Sequence, residues 1–319
     1  MHVLGIDAGG TKTVALLADA NGRTVGEGRA GAANLHTEGE LEVEKILHTV
    51  IEQATEGRRD MPAAVCLGMA GVDREDDGRV IRAIMRRLGF HTNTLIVNDA
   101  LIALVAGAGA SLGVVVISGT GSIAYGVSPR GLAARAGGWG PTLADEGSGY
   151  WIGRRALAAV MRDLDGRGPR TDLTELVLQH FSLSHPEELV VAIYHRPQGR
   201  PAVASLGEIV DRARAAGDPV AIDILTQAAD ELALAAASVI SRLDMRGEQF
   251  PILLGGGMLK DGGWLADQVR RRMAEVAPRS SVVALTEEPA IGAVRLALAE
   301  ARGGVRVPPY IDSLRSTAK

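Results

Sequence analysis

Two glycine-rich turns hold polar residues of the kinds that bind phosphate. The first reads GIDAGGTKT over Gly5–Thr13, and its glycines let backbone N–H groups point into one concavity that suits phosphate oxygens. Asp7 stands just before the glycines and would repel a phosphate, so it fits such a site only if a divalent cation, usually Mg²⁺, lies between them. A hairpin turn in which Asp7 caps local N–H groups is the alternative. The candidate phosphate contacts are Gly9, Gly10, Thr11, Lys12 and Thr13.

A second turn of this kind opens the other half of the chain. It reads ISGTGS over Ile117–Ser122, where hydroxyl residues alternate with glycines. A third glycine cluster, LLGGGM over 253–258, ends an apolar run and would let a flat ring approach the backbone; a plain strand-to-helix turn is the alternative. Two phosphate-type turns, one in each half, predict a clamp on a polyphosphate. The candidate contacts here are Gly119, Thr120, Gly121, Gly255, Gly256 and Gly257.

The segments around the turns predict how these residues are positioned. Each of the first two turns lies between two apolar runs that are typical of strands, and a third strand and then mixed helices and strands follow. This larger repeat predicts a duplicated α/β fold with an interdomain cleft. The first turn has neither Walker spacing nor a dinucleotide fingerprint. Helices are expected at 39–55, 76–88, 99–108, about 149–163, 171–181, 205–216, 218–243, 263–276 and 288–301.

Composition limits the classes of partner. The 319 residues carry a formal net charge of -4, which argues against a nucleic-acid surface. A single cysteine, Cys66, excludes an internal disulfide and a multi-cysteine metal site within one chain, and its apolar surroundings predict a buried thiol. No signal peptide is visible, and no uninterrupted apolar stretch reaches the length of a membrane span. We therefore expect a soluble cytoplasmic protein.

The order of the three turns resembles the superfamily of sugar kinases, actin and heat-shock-70 ATPases (ASKHA). Within it, VNDA, ISGTGS and the segment GGWGPTLADEGSGYWIG resemble the N-acetylglucosamine kinase branch of the BadF/BadG/BcrA/BcrD-type ATPase family, and the likeness covers Val3–Ala299. It implies ribonuclease-H-like (actin-like ATPase) domains at 1–112 and 113–287, a last helix near 288–301 that packs back near the first domain, and a tail at 302–319. It also implies ATP, Mg²⁺ and an amino sugar as ligands, and a homodimer without nucleic-acid or membrane partners.

Asp99, in VNDA, is the candidate catalytic base. It closes a predicted strand and opens a predicted helix, so its carboxylate can project rigidly toward a substrate hydroxyl; a helix N-cap is the alternative. Asp7 is the candidate metal ligand. The resemblance implies that Thr120 contacts ATP phosphate and that Ala290, with Gly255–Gly257, flanks adenine. It carries sugar contacts onto Asn34, Asp99, Ser122, Gly138, Trp139, Gly140 and Asp145.

The segment 137–153 combines glycines, two tryptophans and adjacent carboxylates. We expect its glycines to bend the backbone around a sugar, and Ser148 and Gly149 to open a helix that Tyr150, Trp151 and Ile152 fix to the core. Glu146 is expected either in the metal shell or as a cap of that helix.

Two positions depart from the family pattern. Ile123 stands where the animal enzyme has an asparagine, and His36 replaces a tryptophan; both changes alter the predicted pocket for the 2-substituent of the sugar. Glucosamine or N-acetylmuramic acid therefore stay open beside N-acetylglucosamine, with the C6 hydroxyl as the expected acceptor. The rival functions are an activator ATPase of 2-hydroxyacyl-CoA dehydratases, which needs paired cysteines for an iron–sulfur cluster, and a non-catalytic sugar sensor.

Overall fold

The structure is a computed structural model that describes residues 1–56, 58, 61–72, 75–195 and 199–311, although the side chains of His36 and Glu75 lie outside the description. The interpretation of His36 is therefore not addressed by it, nor is the predicted tail beyond residue 311.

The first half of the chain forms a five-stranded sheet. Strands β1 and β2 form an antiparallel hairpin through the first glycine turn, and β2 pairs in the same way with β3. Strands β4 and β5 then add on the other side of β1, parallel to it and to each other. The order across the sheet is β3-β2-β1-β4-β5, and the strands are His2–Ala8 (β1), Thr13–Asp19 (β2), Thr24–Ala30 (β3), Ala64–Met69 (β4) and Asn93–Asn98 (β5).

The second sheet repeats that order. Read from its third strand, it runs β8-β7-β6-β9-β10. In each sheet the second and third strands therefore lie on one side of the first strand, and the fourth and fifth lie on its other side. The strands are Gly113–Ser118 (β6), Ser122–Val127 (β7), Ala133–Gly137 (β8), Pro251–Gly255 (β9) and Ser281–Ala284 (β10). The duplicated α/β organisation predicted from the two glycine turns is confirmed.

Helices follow the strands in both halves of the chain. The predicted long helices are present, whereas α1, α7 and α8 were not predicted because each is too short to show an apolar period. A short 3₁₀ helix also spans Pro186–Glu188. The α-helices are Leu35–Glu38 (α1), Glu40–Thr55 (α2), Glu75–Arg87 (α3), Asp99–Ala108 (α4), Gly149–Leu164 (α5), Leu173–Phe181 (α6), Leu189–Tyr194 (α7), Gly199–Ala204 (α8), Leu206–Ala215 (α9), Pro219–Arg242 (α10), Trp264–Val276 (α11) and Pro289–Gly303 (α12).

The contacts divide the chain into two compact units. Unit 1 contains Met1–Val115, Tyr125–Ala134 and the described part of Leu285–Lys319, and unit 2 contains Val116–Ala124 and Arg135–Ala284. The last helix, α12, belongs to unit 1, where it packs on α4 and on strands β1 and β4. The core of unit 1 also has a continuous apolar cluster in which Leu4, Leu47 and Leu67 are fully buried.

Helix α12 approaches its neighbours closely at a glycine. A Cβ atom on Gly292 would lie 1.9 Å from the carbonyl oxygen of Ile102 in α4, well inside van der Waals contact. The absence of a side chain at this position therefore sets the distance between the two helices.

Helix α10 is a core helix of unit 2. Among the described residues it alone is long and apolar enough, by length and composition, to cross a membrane, and half of its most apolar window is buried. It packs against α5, α9 and α11, and Asp218 caps its first turn by accepting a hydrogen bond from the N–H of Ala221 at 2.8 Å. Composition of this kind is a weak indication of a membrane segment, because the core helix of a globular protein has it too.

Candidate active site

Asp7 and Asp99 lie at the same edge of the first sheet. Ala8 of β1 pairs with Met69 of β4, and Met69 pairs with Asn98 of β5, so the carboxyl ends of three parallel strands are level. Asp7 stands one residue before the end of β1, and Asp99 follows β5 directly. The sheet register therefore brings the predicted metal ligand and the predicted base to one place in unit 1.

Asn98, and not Asp99, caps helix α4. Asn98 has an extended backbone, and its side-chain oxygen accepts the N–H of Ala100 at 2.8 Å, which is the N-cap arrangement. The N-cap alternative for Asp99 is therefore wrong. Asp99 occupies the first helical turn, where the positive end of the helix dipole favours its charge, and its carboxylate is not needed as the cap.

Burial and charge perturb the pKa of Asp7. Only 8% of the residue is exposed, and burial, reinforced by the charge of Asp99, raises its pKa to about 7. The positive charge of Lys12 acts in the opposite direction, while Glu288 adds to the rise. Two carboxylates of the same edge thus repel each other when both are ionised, an arrangement that a proton or a cation would relieve.

This donor set fits a magnesium ion that keeps waters and phosphate oxygens as its other ligands. Such sites need only one or two protein carboxylates, and Asp7 offers one beside the repelling charge of Asp99. Within the described residues there is no group of three or more His, Cys, Asp or Glu side chains that could hold a metal by themselves. The site therefore fits Mg²⁺ held jointly with a phosphate ligand, and not a closed protein metal site.

The first glycine turn is exposed at its tip and fixed at its base. The N–H of Gly9 donates to the carbonyl of Lys12 at 3.0 Å, and Gly10, Thr11 and Lys12 are exposed. Thr13 differs from expectation, because it is fully buried in β2 and its hydroxyl donates to the carbonyl of Gly31 at 2.8 Å. The Thr13 hydroxyl is therefore engaged within unit 1 and not presented beside the turn.

Asn34 lies near the same turn. The N–H of Ala33, the residue before it, donates to the carbonyl of Gly9 at 3.3 Å, and the Asn34 carbonyl accepts the N–H of Glu38 at 3.0 Å in helix α1. These bonds connect the predicted sugar contact to the predicted phosphate turn through the backbone.

Lys12 is paired with the start of helix α12. Its Nζ lies 2.9 Å from Oε1 of Glu288, and Nη2 of Arg29 lies 2.7 Å from the other oxygen. Burial alone would raise the pKa of Glu288, but the hydrogen bonds from Arg29 and Lys12 lower it overall. Ala290, two residues further on, is fully buried, so its methyl group packs into unit 1 and the adenine contact stays a prediction.

The second glycine turn and the third glycine cluster meet in unit 2. The carbonyl of Ser118 accepts the N–H of Met258 at 2.9 Å. Gly256 has φ of 92°, and a Cβ there would lie 2.3 Å from the Ser118 carbonyl oxygen, so only glycine fits. Gly256 and Gly257 are exposed, while Gly255 is buried at the end of β9. The structure thus brings the predicted phosphate and adenine contacts of this unit side by side.

Asp145 occupies a built polar position. It is 3% exposed and has φ of 67°, an uncommon backbone conformation for a residue with a side chain. Its carboxylate accepts the backbone N–H groups of Ser122 and Gly140, and Oδ2 would lie 3.0 Å from a Cβ on Gly121. Burial raises the pKa of Asp145, and the positive charge of Arg200, together with the two backbone bonds, opposes that rise.

The glycines around Trp139 form a bend that packs against Ile123. Gly137, Gly138 and Gly140 all have positive φ, and a Cβ on Gly138 would lie 2.9 Å from Cδ1 of Ile123. Trp139 itself is 55% exposed, with the Arg135 guanidinium 3.7 Å from its ring centroid. The isoleucine that departs from the family pattern therefore supports the backbone of the bend.

Helix α5 begins as predicted but with a different role for Glu146. Ser148 is the N-cap, since its hydroxyl accepts the N–H of Trp151 at 3.1 Å; the capping role for Glu146 is wrong. The Glu146 carbonyl instead accepts the Ser122 hydroxyl at 2.7 Å. Ile152 is fully buried, whereas Tyr150 and Trp151 are half-buried, so the isoleucine is the main core anchor.

A cavity of about 200 Å³ adjoins this segment. One wall is helix α10 and the other is formed by strands β7 and β8. The lining combines apolar groups with a few polar ones from Ser122, Ile123, Ala136, Gly137, Glu146, Glu231, Leu232, Leu234, Ala235 and Ser238.

Comparison with known proteins gives the family. Residues 4–297 match the BadF/BadG/BcrA/BcrD ATPase family. The chain belongs to this family. The resemblance inferred from the glycine turns is thereby confirmed, and ATP is the nucleotide that the BadF/BadG/BcrA/BcrD family uses, as its description states.

Individual proteins are similar to nearly the whole chain. The N-acetylmuramic acid/N-acetylglucosamine kinase of Clostridium acetobutylicum is 35% identical over 94% of this chain and 99% of its own. The N-acetyl-D-glucosamine kinase of Dictyostelium discoideum is 34% identical over 92% of this chain and 97% of its own. A solved structure from Chromobacterium violaceum, provisionally named an N-acetylglucosamine kinase, has a TM-score of 0.72 and 27% identity, covering 93% of this chain and 98% of that one.

Three charged residues of the site were not found from the sequence. Glu288 pairs with both Lys12 and Arg29, and Arg200 pairs with Asp145 at 3.1 Å. Glu288 stands two residues before Ala290, so its place at the start of a helix was a usable signal. Arg200 lies 55 residues from Asp145 in a stretch with no motif, and nothing in the sequence pointed to it.

Proposed function

We propose that this protein is an ATP-dependent kinase that transfers the terminal phosphoryl group of ATP to a hydroxyl of an amino sugar. N-acetylglucosamine is the first candidate substrate and its C6 hydroxyl the acceptor. The observation that carries the proposal is the pair of carboxylates, Asp7 and Asp99, at one sheet edge, where Asn98 and not Asp99 caps helix α4.

In the proposed reaction the sugar oxygen attacks the terminal phosphorus of ATP, the bond from that phosphorus to the ADP oxygen breaks, and Asp99 accepts the hydroxyl proton. Asp7 is proposed to hold Mg²⁺ together with phosphate oxygens. When bound, the ion neutralises charge on the phosphates. The polyphosphate is proposed to be held by the exposed tip of the first turn, Gly10, Thr11 and Lys12, and by the second turn at Gly119–Gly121.

The proposed sugar contacts are Asn34, Asp99, Ser122, Gly138, Trp139, Gly140 and Asp145. The Asp145 carboxylate and the Asn34 amide suit sugar hydroxyls, and the exposed Trp139 ring suits the apolar face of a pyranose. Both relatives described above are named for N-acetylated sugars. The apolar part of the cavity beside Ile123, Leu232 and Ala235 suits the methyl group of an acetamide, which favours an N-acetyl substrate over glucosamine.

The rival activator function is disfavoured by Cys66. This cysteine is fully buried in the core, with 0% of its surface accessible to solvent, and burial raises the pKa of its thiol. A buried, protonated thiol is a poor ligand for a cluster shared between subunits. A non-catalytic sugar sensor would need neither the metal ligand proposed at Asp7 nor the base proposed at Asp99, so that alternative gives no reason for two carboxylates at one sheet edge.

The domain limits 1–112 and 113–287, the homodimer, the cytoplasmic location and the absence of nucleic-acid or membrane partners are part of the proposal. The mild net charge of -4 and the burial of α10 support it. A measured mass of twice the 33.3 kDa of one chain would support the dimer.

A coupled ADP assay with a sugar panel tests the function. The panel contains N-acetylglucosamine, glucosamine, N-acetylmuramic acid, N-acetylmannosamine and glucose, each with and without Mg²⁺. We expect ADP release to depend on both sugar and metal, and to be fastest with an N-acetylated amino sugar. Sugar-independent ATP hydrolysis would overturn the kinase proposal, and an unchanged metal dependence in Asp7→Ala would remove Asp7 from the metal role.

The acetamide cavity has its own test. Ala235→Leu adds bulk to the cavity wall, so it should raise KM for N-acetylglucosamine and leave KM for glucosamine close to the wild-type value. Equal changes for the two sugars would place the acetamide elsewhere.

A further inference from the structure

Arg200 stands beside the best-built polar group of unit 2. Its Nη2 lies 3.1 Å from Oδ2 of Asp145, and its guanidinium carbon lies 5.8 Å from the ring centroid of Tyr150. About 29% of the Arg200 side chain is exposed, against 5% for Asp145. The arginine therefore reaches the carboxylate from the open side, while the backbone N–H groups of Ser122 and Gly140 hold the same carboxylate from the protein side.

One donor of this arginine is unused. Within the described residues, the Nε–H of Arg200 is buried and has no hydrogen-bond partner. A buried donor without a partner is costly, and it calls for a missing water, ion or ligand. Nε and Nη2 form one planar fork that matches the two oxygens of a carboxylate. Of these two nitrogens, Nη2 bonds to Asp145 and Nε does not.

We propose that Arg200 determines specificity for amino sugars that carry a carboxylate, with N-acetylmuramic acid as the type of substrate. The inference rests on the proposed kinase function. Asp145 binds a hydroxyl of the sugar, and the carboxylate of an ether substituent at the neighbouring hydroxyl position is held by the Nε edge of Arg200. With a neutral sugar, Arg200 only neutralises Asp145.

The local charges favour this division of labour. Asp145 and Glu146 are adjacent acids, and each raises the cost of a further negative charge near them. Burial raises the pKa of Asp145, and the positive charge of Arg200 is the largest influence that lowers it. An acidic sugar can therefore bind here only if a guanidinium takes part in binding it, whereas a neutral sugar has no such requirement.

The test compares three sugars that differ only at one substituent. They are N-acetylglucosamine, N-acetylmuramic acid, which carries a lactic acid ether at O3, and the methyl ester of N-acetylmuramic acid, which has nearly the same bulk without the charge. In the wild type we expect the acid to bind roughly 10-fold more tightly than its ester, measured as competitive inhibition of N-acetylglucosamine phosphorylation and as direct binding by calorimetry.

Arg200→Gln keeps a donor for Asp145 and removes the charge. It should lower kcat/KM for the acid by roughly 10- to 100-fold more than for the neutral sugar or the ester. Arg200→Lys keeps the charge and loses the fork, so it should recover part of this selective loss. Arg214→Gln is the matched control, because Arg214 also pairs with an aspartate, Asp211, at 2.7 Å and lies 5.1 Å from a ring, that of Trp264; the acid-to-ester ratio should not change in it.

An equal loss for all three sugars in Arg200→Gln would overturn the proposal and leave Arg200 as a residue that positions Asp145. Equal affinity of the wild-type protein for the ester and for the acid would also overturn the proposal. This comparison needs no variant, so it holds even if Arg200→Gln does not fold. If wild type phosphorylates none of the sugars, the proposed kinase function fails, and that result is distinct from both of the others.

Discussion

At the scale of single residues, Asn98 and Asp99 divide two tasks between neighbours. An aspartate at the start of a helix is commonly a cap, and the cap would fix its carboxylate to the backbone. Here the amide of Asn98 accepts the N–H of Ala100, so the position after it is relieved of that role. The proposed role of Asp99 as a base relies on this adjacent order, because the cap of the helix is then supplied by Asn98.

Asp99→Asn is the most direct test of the base. An amide cannot accept the hydroxyl proton, so kcat should fall by about 10²- to 10⁴-fold, while the dissociation constant for N-acetylglucosamine should change only a few-fold. Loss of the Asp99 charge should also lower the pKa of Asp7. Wild-type kcat in this variant would exclude Asp99 as the base, and equal losses of affinity and kcat would indicate a binding role.

Asp7 should make stability depend on pH in a defined direction. Its carboxyl titrates near pH 7 in the folded protein but near 4 when unfolded. The folded state binds more protons between these values, so this group's contribution is fully present below pH 4 and is lost as pH rises through 7. Relative to wild type, Asp7→Asn should therefore gain free energy of unfolding from pH 4 to 7 and level off above it, measured by urea unfolding without Mg²⁺.

A control of opposite sign is available in Asp19. Backbone hydrogen bonds from Arg23 and Asn21 lower its pKa, so its contribution is present at neutral pH and is lost in acid. The deficit of Asp19→Asn relative to wild type should shrink as the pH falls below 4. A difference between Asp7→Asn and wild type that stays constant from pH 4 to 8 would contradict the pKa of Asp7.

At the scale of elements, the contact of α12 with α4 depends on a missing side chain. Gly292→Ala places a Cβ 1.9 Å from the Ile102 carbonyl oxygen, so the helices must separate. We expect the free energy of unfolding to fall by about 1–3 kcal/mol, despite the better helix propensity of alanine, as measured by urea unfolding.

Gly78→Ala in α3 is the control for this prediction. A Cβ at Gly78 would meet only the end of the Arg82 side chain, at 3.4 Å, so the propensity gain of up to about 1 kcal/mol should appear. The two glycine-to-alanine changes in helices should thus have opposite signs. A neutral or stabilising Gly292→Ala would show that the two helices can move apart at little cost.

The elements also show how far the sequence could lead. Strands and long helices were predictable because burial on one or both faces leaves a period of apolar residues. The glycine turns located the candidate site because their composition serves both the backbone and the ligand. The capping roles of Asn98 and Ser148 needed backbone angles, since neighbouring Asn, Asp, Ser and Glu all qualify by type. The pairs Asp145–Arg200 and Lys12–Glu288 join distant segments, and no local pattern encodes a partner 55 or 276 residues away.

At the scale of the whole molecule, the same sheet order occurs twice, and binding of the proposed sugar should raise the free energy of unfolding. At 100 times the dissociation constant, a ligand that binds only the folded state adds about 2.7 kcal/mol to the free energy of unfolding. We expect a single calorimetric transition that N-acetylglucosamine shifts upward.

Asn34→Ala in unit 1 and Asp145→Asn in unit 2 should each remove most of that shift. Gly78→Ala should retain it. If the sugar raised the transition equally in wild type and in both contact variants, the proposed contacts would be wrong even though the protein binds sugar.

The place of α12 in unit 1 has a consequence for synthesis. This helix packs on β1, β2, β4 and α4, yet it is synthesised after all of unit 2. Its contact with β1 is close, because a Cβ on Gly5 would lie 2.4 Å from the backbone nitrogen of Val294. A ribosome adds roughly 5–20 residues per second, so the first strands wait for many seconds with one apolar face uncovered. Unit 2, whose described segments are finished earlier, can complete its core first, and the nascent amino-terminal sheet is the part of the chain that a chaperone would have to shield.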